Sequence, residues 1–211
     1  MMPLPKVEMT IFETILARRS VRRYKARKVD KTTISTLLEA AIRAPSTFNQ
    51  EPWAFVIIQD KALLRSLSDL AKPLFMAEAQ AHYLESAGHS LDIYTFDIVN
   101  YPDFNIFYDA TTLMLICGKK SVPCYAADCW LAAENLMLAA CAMGLGTCVI
   151  GSAVQALNTV ETKTKLNIPE SFYVVAPIVV GFPDDEITQV LRKNPVILAN
   201  IQAPHHGQIK P

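Results

Sequence analysis

The chain has 211 residues, 51% of them hydrophobic, enough to build one substantial core and bury roughly 70% of the surface its unfolded form exposes. Lysine plus arginine equals aspartate plus glutamate at 20 each, so the global basic field that favours a nucleic-acid partner is absent. No apolar run reaches membrane-spanning length and MMPLPKVEMT lacks a signal-peptide core, so a cytoplasmic protein with no membrane partner is expected.

Thr10 with Glu13 reads as a capping box opening a short amphipathic helix whose apolar stripe is Ile11, Phe12, Ile15 and Leu16. That helix delivers RRSVRRY, Arg18 to Tyr24, at its C-terminal end. Four arginines in six residues exceed what capping a helix needs, and guanidinium forks match phosphate oxygens bidentately. Alone, such a run reads more readily as a solvated basic face near a turn. A second helix carries Ile34, Leu37, Leu38, Ala41 and Ile42 on its apolar stripe and must stop before Pro45, which lacks an amide hydrogen and biases Ala44 away from helix. The turn APSTFNQEPW, Ala44 to Trp53, then offers Ser46, Thr47, Asn49 and Gln50 as donors and acceptors ahead of a buried strand from Trp53 to Ile58. A plain helix-to-strand connection explains the proline but not so many polar side chains. The pairing of the two segments favours a phosphate-bearing flavin pocket.

Lys61 to Leu70 and Leu74 to Ser86 read as two helices. Tyr94 to Phe107, aromatic without a clean period, reads either as a loop over a ligand or as an element packing its edge into the core. Thr112 to Cys117 reads as a buried strand ended by Gly118. The cysteines Cys117, Cys124, Cys129, Cys141 and Cys148 are odd in number and lie in apolar surroundings, which predicts reduced thiols, and no metal site is expected. Tyr125 to Met143, stopped by Gly144, is the longest helix and is apolar nearly all round, as at a core centre or a subunit interface. The glycines of GLGTCVIG, Gly144 to Gly151, lack the dinucleotide spacing. A helix from Val154 to Leu166, a break at Pro169 and a strand from Tyr173 to Val180 follow. LRKNP, with Arg192, Lys193 and Pro195, either closes a phosphate site or is a solvated basic turn. Val196 to Ile201 is an apolar tail that needs a partner sheet if extended.

RRSVRRY and APSTFNQEPW resemble the RRSxRxY-like and PSxxNxQPW-like segments of the nitroreductase family of FMN-dependent oxidoreductases. GLGTCVIG is similar to that family's GLGTCWIG-like turn, with Val149 replacing a frequent tryptophan, and LRKNP to its basic RKP-like segment. The resemblance covers nearly the whole chain. It implies an α+β fold, a mixed and mainly antiparallel sheet flanked by helices, in an intertwined homodimer. It implies one FMN-binding domain over residues 1–211, with a C-terminal arm from about 190 to 211 around the other subunit. Arg18, Arg19, Ser20, Arg22 and Arg192 would hold the phosphate or the flavin edge, with Arg22 at the N1/O2 side. Pro45, Ser46, Thr47 and Asn49 would come from the other subunit, and a backbone amide of Ile150 or Gly151 would donate to N5.

The implied reaction is ping-pong hydride transfer from NADH or NADPH to a nitro compound, quinone or similar small-molecule acceptor, with no catalytic side chain and no metal. One departure stands out. Glu51 replaces the family's common glutamine, as in branches related to dehalogenases and flavin-converting enzymes, which are the alternative reading. A non-catalytic flavin-binding protein is the second alternative.

Overall fold

The computed structural model describes residues 9–85, 101, 103–184 and 192–201. Helix α1 spans Ile11–Ala17, and its capping box is formed: Thr10 N–H donates to the Glu13 carboxylate at 2.7 Å while Glu13 N–H donates to Thr10 Oγ1 at 3.3 Å. The stripe expected to turn inward does not. Phe12 is 75% and Leu16 65% exposed, and the buried residue is Thr14, whose hydroxyl is satisfied by Thr10 O at 2.9 Å. Helix α2, Lys31–Ala41, is capped by Asp30 and buries Ile34, Leu37 and Ala41, as its period predicts. Strand β1 is Trp53–Ile58.

Two helices were expected over 61–86; the structure has one, α3, Lys61–Glu85, with Pro73 inside it. Ser86 lies outside the described residues, as do 87–93 and, of the aromatic segment, 94–100 and 102. An internal proline costs about 3 kcal/mol of helix stability. Leu64, Leu67 and Ala71 before it, with Leu74 after it, all pack into one cluster, and that shared burial offsets the lost hydrogen bond.

Strand β2, Thr112–Lys119, runs through Gly118 rather than stopping there. A Cβ at that position would sit 2.4 Å from the Tyr125 ring, so the glycine serves close approach of the strand to the next helix, α4, Tyr125–Ala142. Gly144 at φ +73° takes the left-handed position after α4 that its sequence predicts. Strand β3 follows as Gly146–Val149.

The helix expected over 154–166 is broken into α5, Val154–Leu157, and α6, Val160–Lys165, because Asn158 is taken by another element. Its carboxamide donates to Val174 O at 3.0 Å and accepts from Val174 N at 2.8 Å, fastening the break to strand β4, Phe172–Gly181.

The sheet order is β1-β2-β4-β3 with every neighbouring pair antiparallel. Both faces are covered, and the alternation of β2 shows it: Met114 and Ile116 join α2 and α4 in one core cluster, Leu113, Leu115 and Cys117 join α3 and α5 in the other. Ile106 and Phe107, from the aromatic segment, belong to the second cluster. Among the described residues no helix is long and apolar enough to cross a membrane. All five cysteines are free, and burial pushes the Cys117 thiol up to about 11 and Cys129 up to about 12.

Candidate functional site

The 20–25 segment is laid along the free edge of the sheet. Ser20 forms a parallel bridge to Thr147 of β3, and Val21 N–H donates to Thr147 O at 2.9 Å. Further on, Tyr24 bridges Pro183 and Lys25 N–H donates to Phe182 O at 2.9 Å. Two glycines allow this approach: a Cβ on Gly146 would lie 2.6 Å from Val21, and one on Gly181 2.8 Å from the Tyr24 ring. Within the 144–151 segment it is thus Gly146 that serves close packing, while Gly144 takes the left-handed position after α4.

This seating places the arginines. Arg18 Nε is 3.3 Å from the Glu134 carboxylate on α4, an ion pair outside hydrogen-bond geometry, so its buried N–H has no hydrogen-bond acceptor. Arg19 turns one nitrogen back onto the carbonyls of Leu16 and Arg18, at 2.6 Å each, and its buried Nε likewise lacks an acceptor. A buried donor without an acceptor costs stability, and an anion seated there would supply one.

Ser20 and Arg22 lie beside the Cys148 thiol, which burial holds above the usual thiol range. The Arg22 guanidinium lies over the Tyr108 ring, 5.9 Å from its centroid. Burial works against its charge, but the surrounding Cys148, Tyr108 and Tyr24 more than offset this and raise its pKa, so it is a permanent cation. It lines a cleft of about 320 Å³ together with Tyr24, Phe104, Asn105, Tyr108 and Asp109. Phe104 and Tyr108 meet edge to face at 5.8 Å. Of the described part of the aromatic segment, Ile106 and Phe107 pack into the core, while Phe104, with Tyr108 just beyond the segment, lines the cleft.

The 45–52 turn is built under strain. Phe48, Asn49 and Glu51 have φ of +51°, +54° and +44°, none is glycine, and each such residue costs on the order of 1–3 kcal/mol. Phe48 is 84% exposed, so burial of its ring does not hold the turn. Local bonds contribute: Asn49 N–H donates to Ser46 O and Glu51 N–H to Ser46 Oγ, both at 3.0 Å. The long-range tie is Asp128, whose carboxylate accepts from Thr47 N–H at 3.0 Å and Thr47 Oγ1 at 3.1 Å. Sequence reasoning missed Asp128; the available signal was a lone acid in the otherwise apolar opening turn of α4. Pro45 and Asn49 are exposed, Ser46 and Thr47 half-buried.

Of the two backbone amides singled out beyond β3, Ile150 N–H is already committed to Pro177 O at 2.8 Å and is corrected out of the donor set. Gly151 is exposed, a Cβ there would meet nothing within 4 Å, and its N–H has no partner among the described residues. Arg192 is exposed on an irregular stretch, and no bond or ion pair joins it to the 18–24 segment among the described residues. Nor does one chain bring the turn to the arginines. Asp128 and Glu134, which tether them, are about 9 Å apart along α4 and about 120° apart around it, so the two halves sit on different faces.

A family profile described as the Nitroreductase family matches residues 15–182. The chain is 27% identical over 177 residues to an Archaeoglobus fulgidus protein provisionally named NADH dehydrogenase/NAD(P)H nitroreductase, covering 82% of this chain and 84% of that one. It is 24% identical over 193 residues to the iodotyrosine deiodinase of Thermotoga neapolitana, covering 90% and 97%. Among solved structures, the nitroreductase with bound FMN from Bacteroides fragilis is similar with a TM-score of 0.69 and 26% identity, over 92% of this chain and 97% of that one. The matched span contains the arginine segment, the strained turn and the β3 edge that seats them, and the chain belongs to the nitroreductase family.

Proposed function

We propose that the chain is an FMN-dependent oxidoreductase that passes hydride from NADH or NADPH to a nitro compound, a quinone or a similar small-molecule acceptor. The observation that carries this reading is the pair of buried, acceptor-less Nε–H groups of Arg18 and Arg19 beside Ser20, on a segment pinned to β3. A terminal phosphate supplies the oxygens these donors lack. The FMN in the Bacteroides fragilis neighbour supports that choice of ligand, and the name of the Archaeoglobus fulgidus relative supports a nicotinamide donor. When bound, FMN supplies the two-electron chemistry, taking hydride from the nicotinamide and yielding it to the acceptor in a second half-reaction.

The protein's own share is placement and field. Arg18, Arg19 and Ser20 would hold the phosphate end, Arg22 would set a fixed positive charge at the pyrimidine edge, and Gly151 N–H would donate to N5. Arg192 joins them only by movement of its exposed segment. No side-chain nucleophile or acid/base pair is needed.

The site is completed in a homodimer, with the 45–49 turn of one chain meeting the arginines of the other. Support comes from the exposed apolar surface: the α1 stripe, Trp130 at 43% and Leu131 at 47% on α4, and Val196, Ile197, Leu198 and Ile201 at 74% or more. The elements packed on one sheet form a single domain with the tail as its arm, and the free thiols suit a reducing compartment such as the cytoplasm. In sedimentation velocity the protein runs as a flavin-loaded dimer down to low concentration; a stable flavin-loaded monomer ends the dimeric reading.

A spectrum of purified protein before and after anaerobic NADH or NADPH tests the function. The visible flavin band is bleached and then restored by a nitroaromatic or a quinone. Protein that takes up no FMN overturns the proposal. Glu51 and the Thermotoga neapolitana deiodinase favour a reductive dehalogenase as the second reading, which predicts restoration by a halogenated phenol instead. A bound flavin that neither nicotinamide reduces marks a non-catalytic binder.

A further inference from the structure

We propose that Asp128 is a positioning residue of this site: from α4 its carboxylate clamps the 46–51 turn in the left-handed conformation that presents Ser46 and Thr47. What the turn faces rests on the functional reading above; the clamp itself rests on geometry. Asp128 is 3% exposed, and no lysine, arginine or histidine pairs with it among the described residues. A buried carboxylate without a cation needs strong donors. It has them in the Thr47 N–H and hydroxyl, 81 residues away in sequence, and it lies in the first turn of α4, where the helix dipole favours negative charge.

The turn needs such a tie. Its three left-handed residues are not glycines, the Phe48 ring is solvent-exposed, and the other bonds within 46–51 are local. Local bonds alone leave the turn free to relax as a unit. Asp128 fixes it to the helix that also holds Glu134, the partner of Arg18, so one helix sets the position of both halves of the site. Trp130 and Leu131 are partly exposed just beyond Asp128, which puts the clamp at the edge of the surface a second copy covers.

The test compares wild type with Asp128→Asn and Asp128→Ala by amide hydrogen exchange and FMN titration. In Asp128→Asn the carboxamide oxygen accepts from Thr47 N–H while its NH₂ donates to the Thr47 hydroxyl, so the shape is kept and the clamp is weakened by loss of its charge, whereas Asp128→Ala removes it. Asp128→Ala exchanges faster in the 46–51 peptide, and Asp128→Asn to a smaller extent, while β2 exchanges as in wild type, and the Kd for FMN rises by about tenfold or more in Asp128→Ala. Unchanged exchange in 46–51 overturns the proposal, as does loss of protection spread evenly over the chain, which marks Asp128 as a general stability residue. Should Asp128→Ala fail to fold, Asp128→Asn carries both readouts. Faster exchange in the turn with FMN affinity unchanged leaves the clamp standing and removes the turn from the flavin site, which counts against the functional reading instead.

Discussion

Arg18→Ala lowers the affinity for FMN by about ten- to a hundredfold while affinity for riboflavin changes by no more than a small factor. The magnitude is that of one charge-assisted hydrogen bond, ~1.5–3 kcal/mol. The selectivity follows from what the two ligands share: both carry the same ring and ribityl chain, and only FMN brings the phosphate that satisfies the Arg18 Nε–H. The partner left behind is tolerable, because the Glu134 side chain is 46% exposed and water hydrates its carboxylate once the 3.3 Å ion pair is gone. The fold should persist for that reason. Arg18→Lys keeps the charge but loses the planar fork, and falls between wild type and alanine. Parallel titrations of apoprotein with the two ligands decide the matter; equal weakening of both removes Arg18 from the phosphate.

Arg22→Ala makes the bound flavin harder to reduce. A fixed cation beside the pyrimidine edge favours the negative charge gained there on reduction, and its removal lowers the midpoint potential; for a two-electron couple ~30 mV corresponds to about 1.4 kcal/mol, a tenfold change in the reduction equilibrium. The structure supplies the reason to expect a sizeable effect. Arg22 is fully charged and lies over Tyr108, 5.9 Å from the ring centroid; exposed in one chain, it exerts its field at close range once a bound ring lies against it and displaces water. Dye-equilibrated redox titration of saturated Arg22→Ala reads the shift directly. Arg18→Ala is the control, weaker in binding but close to wild type in potential. A potential unmoved in Arg22→Ala with FMN still saturating assigns the ring contact to another group, with Gly151 N–H and Asn105 as the neighbours to examine next.

The local grammar of the chain was readable without a structure. The Thr10 and Glu13 box, the stop before Pro45, the strand at Trp53–Ile58, the long apolar helix ended by Gly144 and the β-branched run of β4 each depend on residues a few positions apart, because capping, proline sterics and side-chain period act over that range. The arginine segment and the polar turn were recognisable as chemistry for the same reason, since their residue types stand together in sequence. Tertiary packing decided the rest. Pro73 stays inside α3 because apolar residues on both sides of it share one cluster, and Asn158 breaks a helix because β4 offers it two backbone partners. Thr47 meets Asp128, and Ser20 meets Thr147, only once α4 and the sheet edge exist to bring them together. The α1 stripe, which by its period alone faces a core, faces outward, because α1 packs on α4 through Thr14 and leaves its apolar side exposed. Periodicity states that a face is apolar; which neighbour covers it is settled by the packing of elements far apart in sequence.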